Sequence, residues 1–211
     1  MEQQQGLAQI EQTRVIAIVR GIEEKHIVGV AHALLAGGVT VMEVTLNTPG
    51  ATGMITRLQQ ELGDRMYIGA GTVLDTEDAE RAMAAGASFL VTPNTDEAVI
   101  RLAVQRGIPI YPGAMTPTEV VKAWKAGAAA VKIFPTTSLG LSYIKELQGP
   151  LSHIPMVAVG GVGEHNIADF IRAGCCAVGV GSTLFDKQAI AEGRYEAVTE
   201  KAKALLAGLN K

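Results

Sequence analysis

The chain has 211 residues, of which 48% are hydrophobic and 18% are charged, and this length is enough for one domain with a substantial core. The net charge of −3 and the lack of a basic cluster argue against a nucleic-acid partner and favour small metabolites as ligands. No apolar run reaches the roughly 18 residues that a membrane span requires, and the polar segment 1–5 is unlike a signal peptide.

Short runs rich in valine, isoleucine and alanine are predicted to be strands. In chain order these are Val15–Arg20, Val41–Thr45, Met66–Ala70, Ser88–Thr92, Ile108–Pro112, Ala129–Phe134, Met156–Val159 and Ala177–Val180. Their apolar character is typical of parallel strands that are buried on both faces. Because helical segments alternate with them, the sequence predicts a single α/β domain over residues 1–211, a (β/α)8 TIM barrel near the lower size limit of that fold. The rival is an open doubly wound sheet, but no Gly-x-Gly-x-x-Gly motif follows the first strand.

The segments between the strands carry start and stop signals of helices. Residues 24–36 have the apolar spacing of one helix face. Thr116-Pro117-Thr118-Glu119 is a capping box with proline at the first helical position, and Thr95 is predicted to begin another helix ahead of two acidic residues. Glycines that close a helix in the left-handed conformation stand before several of the strands, at Gly38, Gly86, Gly107, Gly127 and Gly174.

The cysteines and histidines argue against disulfide and metal chemistry. Cys175 and Cys176 are adjacent, which rarely allows a disulfide. They are interpreted as small core residues of a reduced, cytoplasmic protein. The four histidines lack the spacing of metal ligands, so no metal site is expected.

Lys132 lies within the apolar run Ala128–Pro135, which is too hydrophobic to be a solvated face. Removal from water disfavours the ammonium form, so the pKa of this lysine should fall. A neutral amine is the nucleophile that condenses with a ketone to form a Schiff base, and Lys132 therefore indicates covalent carbonyl chemistry. The alternative is that the lysine buries only its stem and extends its charge into water at a strand end.

Strand parity predicts an acidic partner for this amine. Barrels place their chemistry at the C-terminal ends of strands, and side chains alternate along each strand. If Lys132 points inward, Ala128 and Ala130 do so too and leave space beneath the amine. If Glu43 points inward, Val41 and Thr45 do so too while Met42 and Val44 face the helices, and the acid and the amine then share one cavity. Burial would then raise the pKa of Glu43 and suit it to proton transfer, whereas the alternative is a carboxylate that accepts backbone hydrogen bonds.

Other strand ends predict anion binding. Arg20 closes the first strand and, if it points inward, could hold a carboxylate or a phosphate through two hydrogen bonds; a surface arginine is the alternative. Gly160-Gly161 and Gly181-Ser182 follow the seventh and eighth strands, where barrels commonly bind phosphate. A short helix beginning near Ser182 would add its positive end. Simple turn glycines are the alternative interpretation.

Four motifs together resemble one family. They are Glu43-Val44-Thr45, Gly69-Ala70-Gly71-Thr72-Val73, Val131-Lys132-Ile133-Phe134-Pro135 and Gly160-Gly161-Val162. In order and spacing the chain resembles the 2-keto-3-deoxy-6-phosphogluconate (KDPG) / 4-hydroxy-2-oxoglutarate aldolase family over about Val15 to Phe185. The resemblance implies a metal-free class I aldolase on a (β/α)8 barrel, without a cofactor and typically a homotrimer.

The resemblance also implies roles for individual residues. Lys132 matches the Schiff-base lysine and Glu43 the general acid/base. Thr72 matches a threonine that helps to hold the carboxylate of pyruvate, while Pro93 and Phe134 match residues that line the pocket. The loops at Gly160-Gly161 and Gly181-Ser182 match the phosphate site.

Two positions depart from the gluconate-type pattern. Some family members carry an arginine at the position of Asn47, where it helps to bind the carboxylate; here Arg20 could serve instead. Val159 stands where gluconate-type enzymes usually have a threonine, whose hydroxyl is thought to help read the configuration at C4. Leu46-Asn47-Thr48-Pro49 and Ala158-Val159-Gly160-Gly161 also look like the 2-dehydro-3-deoxy-6-phosphogalactonate branch, and the remaining residues leave the branch open.

The resemblance implies cleavage of a phosphorylated 2-keto-3-deoxy sugar acid of the KDPG type to pyruvate and glyceraldehyde 3-phosphate. Cleavage of 4-hydroxy-2-oxoglutarate to pyruvate and glyoxylate is a second expectation. The alternatives are a 2-dehydro-3-deoxy-6-phosphogalactonate aldolase, a phosphate-binding barrel isomerase or epimerase that forms no imine, and a barrel that binds a sugar phosphate without catalysis.

Overall fold

The computed structural model describes residues 3–209, with side chains described from residue 8 onward. Residues 1–2 and 210–211 of the predicted domain, and with them the start of the polar segment 1–5, lie outside the described residues. The strands are β1 (Val15–Val19), β2 (Val41–Thr45), β3 (Tyr67–Gly71), β4 (Leu90–Val91), β5 (Ile110–Tyr111), β6 (Gly113–Ala114), β7 (Val131–Ile133), β8 (Met156–Val159) and β9 (Ala177–Val180). The helices are α1 (Gln3–Thr13), α2 (Ile27–Ala36), α3 (Ala51–Leu62), α4 (Thr76–Ala84), α5 (Glu97–Gln105), α6 (Pro117–Lys125), α7 (Thr136–Leu151), α8 (Ile167–Arg172), α9 (Lys187–Ala191) and α10 (Glu196–Gly208).

All strands pair in parallel in the order β5-β4-β3-β2-β1-β9-β8-β7-β6. The first and last strands in this order, β5 and β6, are consecutive in the chain and are separated only by Pro112. Proline has no N–H for a ladder, but its carbonyl accepts a hydrogen bond from the Lys132 N–H at 2.9 Å. The segment 110–114 therefore acts as one bent barrel strand that pairs with β4 on one side and β7 on the other. This arrangement confirms the predicted barrel with alternating helices.

Strand bounds differ from the predicted ones where regular pairing stops early. The predicted fifth strand, Ile108–Pro112, is instead split into β5 and β6 around the proline. Its neighbours β4 and β7 are also shorter than the predicted runs Ser88–Thr92 and Ala129–Phe134, because a ladder lasts only while both strands stay extended. The first strand ends at Val19, so Arg20 lies just beyond it.

The helix signals are mostly confirmed. Thr116 and Glu119 form the predicted capping box: the Thr116 N–H donates to the Glu119 carboxylate at 2.8 Å, and Thr116 Oγ1 accepts from the Glu119 N–H at 3.3 Å. The prediction for Thr95 is wrong by one residue, because Asp96 caps α5 while Thr95 Oγ1 donates to the Gly113 carbonyl at 2.8 Å. The segment 24–36 begins with a short 3-10 turn before α2. Positive φ angles occur at the predicted helix-closing glycines, Gly38, Gly86, Gly107, Gly127 and Gly174.

Side chains divide into an interior layer and a layer between strands and helices. Val41 packs inside the barrel while Met42 and Val44 pack against the helices, which confirms the parity predicted for β2. Ala130 also lies inside. The prediction for Ala128 is wrong, since it packs in the outer layer. Ala128 precedes the extended part of β7, so the strand alternation does not reach it.

Aromatic rings fill the barrel beneath its C-terminal end. The rings of Tyr67 and Phe89 lie with centroids 4.8 Å apart, and the edge of Tyr111 meets Phe89 at 5.7 Å. Gly69 leaves room for this layer, since a Cβ atom there would come within 2.5 Å of the Phe89 ring. Ile10 of α1 packs in the same cluster. The barrel interior is therefore packed up to the level just below its C-terminal end, where a site can lie.

The remaining expectations concern the thiols and the membrane. Both cysteines are free thiols, Cys175 buried and Cys176 exposed, so only the first is the core residue predicted; Cys176 lies just before β9. Among residues 3–209, no helix has the length and apolar character to cross a membrane.

Replacing Phe89 with alanine should destabilise the fold, because the ring is fully buried and contacts two other rings. We expect the free energy of unfolding to fall by about 3–5 kcal/mol, measured by urea denaturation. Leu74→Ala is the matched control, since Leu74 is 53% exposed and its loss should cost less than about 0.5 kcal/mol. Equal losses in the two variants would contradict a packed interior layer.

Candidate active site

A cavity of about 460 Å³ opens at the C-terminal ends of β1, β7, β8 and β9, which is the end where barrels carry their chemistry. Its volume lies in the range of small-molecule sites. The lining residues are Ile18, Arg20, Lys132, Phe134, Val159, Gly160, Gly161, Val162, Gly179, Gly181, Ser182, Thr183, Phe185 and Lys187.

Lys132 sits at the centre of β7 and points into this cavity. Its backbone is fixed between Gly113 and Val157 on the neighbouring strands, and the residue is only 6% exposed. Its Nζ lies 4.9 Å from the centroid of the Phe134 ring. Burial lowers the pKa of the amine below its ordinary value, an effect that nearby Arg20 reinforces and Glu43 opposes. Burial thus shifts this lysine toward the neutral amine that the sequence predicts.

Glu43 occupies the middle of β2 and is 2% exposed. Burial raises the pKa of its carboxyl group above the ordinary value, against the opposing attraction of Lys132 and Arg20. Removal from water thus outweighs the positive charges nearby. A carboxyl group of this kind holds a proton closer to neutral pH and can give or take it there.

Glu43 and Lys132 meet across a small cavity of about 10 Å³, whose walls include Tyr111, Val157 and Val159. The amine and the carboxylate are more than 4.0 Å apart and form no direct ion pair. Because each group affects the charge of the other, they titrate as a coupled pair. The structure thus brings together the acid and the amine that the sequence predicts in one cavity.

Gly71, at the end of β3, makes room for the acid. A Cβ atom at this position would overlap the Glu43 carboxyl group, with its nearest approach to Oε1. Gly71 pairs with Thr45 in the sheet, two residues beyond Glu43. The glycine therefore keeps the carboxyl group in its position above the interior layer.

Arg20 and Thr72 form a polar edge of the site. Arg20 is exposed just after β1, and its guanidinium donates to Thr72 Oγ1 at 3.4 Å. Thr72 has φ of 58°, which is rare for a β-branched residue and costs about 1–3 kcal/mol. The two residues place a cation and a hydroxyl side by side, a combination suited to a carboxylate.

The glycine loops line the cavity after β8 and β9, and β9 is the strand that pairs with β1. Gly160 and Gly161 have φ of 109° and 70°, and the Gly160 carbonyl accepts a hydrogen bond from Thr136 Oγ1 at 2.6 Å. The predicted helix near Ser182 is wrong: α9 begins only at Lys187, and the Asp186 side chain caps it by accepting from the Ala189 N–H at 3.0 Å. Because the Asp186 carboxylate already caps the N-terminal end of α9, that helix end is not free to bind an anion.

Besides Glu43, which lines only the small cavity, three predicted residues lie outside the main cavity. Asn47 is exposed and lines a separate depression with Arg81. Thr72 contacts Arg20, which lines the main cavity. Pro93 is half-buried, and its carbonyl packs against Gly113. Their predicted roles in substrate binding stay predictions.

The sequence predicted no site role for six other lining residues, namely Ile18, Val162, Gly179, Thr183, Phe185 and Lys187. Alternation along the first strand could have placed Ile18 inside with Ile16. No motif marks Lys187, because it lies in an exposed segment seven positions after β9. Among the described residues, no group of three histidine, cysteine, aspartate or glutamate side chains is arranged to hold a metal ion.

A parallel barrel with a buried amine and a buried acid at its C-terminal end has the groups that an enzyme working through a lysine imine requires. The comparison with known families agrees, since the family model for KDPG and KHG aldolase matches residues 7–201. The chain therefore belongs to the KDPG and KHG aldolase family, whose members cleave carbon–carbon bonds.

Known relatives come from two branches of this family. A 2-dehydro-3-deoxy-6-phosphogalactonate aldolase of Escherichia coli (strain K12) is 41% identical over 172 residues, covering 81% of this chain and 84% of the relative. A 2-dehydro-3-deoxy-phosphogluconate aldolase of Treponema pallidum (strain Nichols) is 35% identical over 198 residues, covering 93% and 94%. The KDPG aldolase of Legionella pneumophila, solved with pyruvate captured as a covalent carbinolamine, superposes with a TM-score of 0.87 at 28% identity, over 94% of this chain and 96% of that one.

Gly71→Ala should impair the enzyme by displacing the Glu43 carboxyl group. We expect kcat of aldol cleavage to fall about 10- to 100-fold, because a displacement near 1 Å has that effect on a catalytic group. Gly149→Ala in α7 is the control, since a Cβ atom there meets nothing within 4 Å. Steady-state rates and circular dichroism of both variants test this. A folded Gly71→Ala variant with full kcat would show that the position of the carboxyl group does not matter.

Proposed function

We propose that this chain cleaves 2-dehydro-3-deoxy-6-phosphogalactonate to pyruvate and glyceraldehyde 3-phosphate through a Schiff base on Lys132. The observation that carries the chemistry is the buried amine of Lys132, whose pKa is lowered where it faces the 460 Å³ cavity. Family membership supports aldolase chemistry rather than the isomerase, epimerase or non-catalytic alternatives. The covalent carbinolamine of pyruvate in the Legionella relative supports the same route.

The reaction begins with attack of the neutral Lys132 Nζ on the C2 ketone of the substrate. The carbinolamine that forms loses water to give an iminium, and protonated Glu43 supplies the proton that the leaving hydroxyl requires. The small cavity between the two residues has about the size that one water molecule needs, so a water can carry protons between the carboxyl group and the substrate.

The carbon–carbon bond then breaks. Glu43, now ionised, removes the proton of the C4 hydroxyl through the water, the C3–C4 bond cleaves, and its electron pair moves into the iminium to give an enamine. Glyceraldehyde 3-phosphate leaves as the aldehyde. Protonation of the enamine at C3 and hydrolysis of the resulting iminium release pyruvate and restore the Lys132 amine and the Glu43 carboxyl group.

The charges of the cavity support a substrate with an anion at each end. Arg20 and Thr72 lie on the β1–β3 side of the mouth, where the C1 carboxylate would be held. The backbone of the Gly160-Gly161 and Gly181-Ser182 loops lines the cavity after β8 and β9, where the phosphate would lie. The amine of Lys132 lines the same cavity, where the C2 ketone would meet it.

Val159 favours the galactonate epimer over the gluconate type that the motifs first suggest. Its side chain lines both the main cavity and the small cavity beside Lys132. An isopropyl group neither donates nor accepts a hydrogen bond, so this wall cannot hold the C4 hydroxyl of a gluconate-type substrate. The 41% identity to a galactonate-branch relative, against 35% to a gluconate-branch one, supports the same choice. The homotrimeric state, the cytoplasmic location, the absence of a cofactor and cleavage of 4-hydroxy-2-oxoglutarate stay predictions.

Borohydride trapping with pyruvate tests the role of Lys132. We expect a reduced pyruvate adduct on this residue, detected by mass spectrometry, and no adduct in the Lys132→Ala variant. The trapping rate should rise as pH rises through the pKa of the amine, since only the neutral form attacks, and the midpoint should lie below 10.5. Lys125→Ala, at the opposite end of the barrel, should trap normally. An adduct on another lysine in Lys132→Ala would overturn the assignment.

Rates on the two C4 epimers test the substrate. We expect kcat/KM to be higher for the galactonate epimer by about 10-fold or more, the effect of about 1.4 kcal/mol in binding the transition state. Val159→Thr should shift this ratio toward the gluconate epimer because it adds a hydroxyl to the wall. Val104→Thr, at a 46% exposed position on α5 outside the cavity, is the matched control. A wild-type preference for the gluconate epimer would make the proposal wrong while leaving the aldolase chemistry intact.

A further inference from the structure

The cavity contains a cation that the proposed chemistry does not use. Three basic side chains line it, and they are Arg20, Lys132 and Lys187. Lys132 is consumed in the imine, and Arg20 is directed toward Thr72 on the β3 side. Lys187 therefore remains as the cation without an assigned function.

The position of Lys187 is set by the start of α9. Asp186 caps this helix by accepting from the Ala189 N–H at 3.0 Å, which fixes Lys187 as its first residue. The Lys187 side chain lines the cavity, and a Cβ atom added to Gly21 would lie 3.3 Å from its Nζ. Gly21, with φ of 65°, leaves the space that the ammonium group occupies.

Neighbouring carboxylates leave this ammonium group free. Within residues 3–209, Lys187 forms no ion pair with an acidic side chain. Asp186 is adjacent in sequence, but its pKa is lowered first by the hydrogen bond from Ala189, and the cations that act on it are Lys201 and Arg194. The described acidic side chains thus leave the charge of Lys187 available to a ligand in the cavity that it lines.

We propose that Lys187 binds the terminal phosphate of the substrate and determines the preference for phosphorylated over unphosphorylated substrates. The Gly160-Gly161 and Gly181-Ser182 loops offer the phosphate only neutral backbone groups and one hydroxyl. A phosphate carries about −1.5 to −2 charges at neutral pH, and a lysine ammonium is a compact partner for it. This inference rests on the proposed function, since it assigns the cation for one end of the proposed substrate.

The test uses the condensation direction, with pyruvate and either glyceraldehyde 3-phosphate or glyceraldehyde as the acceptor. In Lys187→Ala, the ratio of kcat/KM for the phosphorylated over the unphosphorylated aldehyde should fall about 10- to 100-fold, the effect of one lost charge-assisted hydrogen bond. Inorganic phosphate should inhibit the wild type competitively and the variant more weakly. Lys187→Arg should restore part of the ratio, and Lys125→Ala should leave it unchanged.

Two controls separate the possible failures. The pyruvate adduct on Lys132 shows that the variant is folded, and condensation can form either C4 epimer, so the result does not depend on the galactonate assignment. No condensation by the wild type with either aldehyde would count against the proposed function itself. A wild type that prefers the phosphorylated aldehyde, with an unchanged ratio in Lys187→Ala or with equal losses for both aldehydes, would overturn the role of Lys187 alone.

Discussion

The site depends on burying an amine and a carboxyl group near each other without letting them form an ion pair. Lys132 and Glu43 are both almost fully buried, and for each the cost of desolvation outweighs the attraction of the other. The pKa of the amine therefore falls and that of the acid rises, so both groups approach the neutral forms that carbonyl chemistry needs. A direct contact would have stabilised both charges and removed this reactivity.

The rest of the barrel maintains that separation. Beneath the pair, Tyr67, Phe89 and Tyr111 form a packed layer that excludes bulk water from below. Gly71 keeps open the space that the Glu43 carboxyl group fills. Pro112 interrupts one strand, but its carbonyl still bonds the Lys132 N–H, so the catalytic strand stays anchored where the barrel closes. The residues that pack and close the barrel here are therefore the same residues that hold Lys132 and Glu43 in position.

Besides Lys132, two cations lie at the mouth of the cavity. Arg20 contacts Thr72, and the Nζ of Lys187 lies near Gly21, the residue that follows Arg20. Val159 gives the wall beside Lys132 an apolar surface. In the proposed function, the cations bind the two anions of the substrate, while Val159 distinguishes the configurations at C4. On that proposal, the two kinds of selectivity are carried by different residues and can be altered separately.

The sequence by itself determined the barrel, the parity of β2 and the identity of Lys132 and Glu43 as an inward pair, because hydrophobic runs and strand alternation are local properties of the chain. The sequence-based expectations were wrong for the layer of Ala128, for a helix near Ser182 and for the ends of the fourth, fifth and sixth predicted strands. These features depend on how long neighbouring strands stay paired and on which side chain caps a helix. Only the tertiary structure placed Asn47 away from the main cavity and brought Lys187 to its mouth. Contacts between residues far apart in the chain decide such positions, and no periodic pattern in the sequence records them.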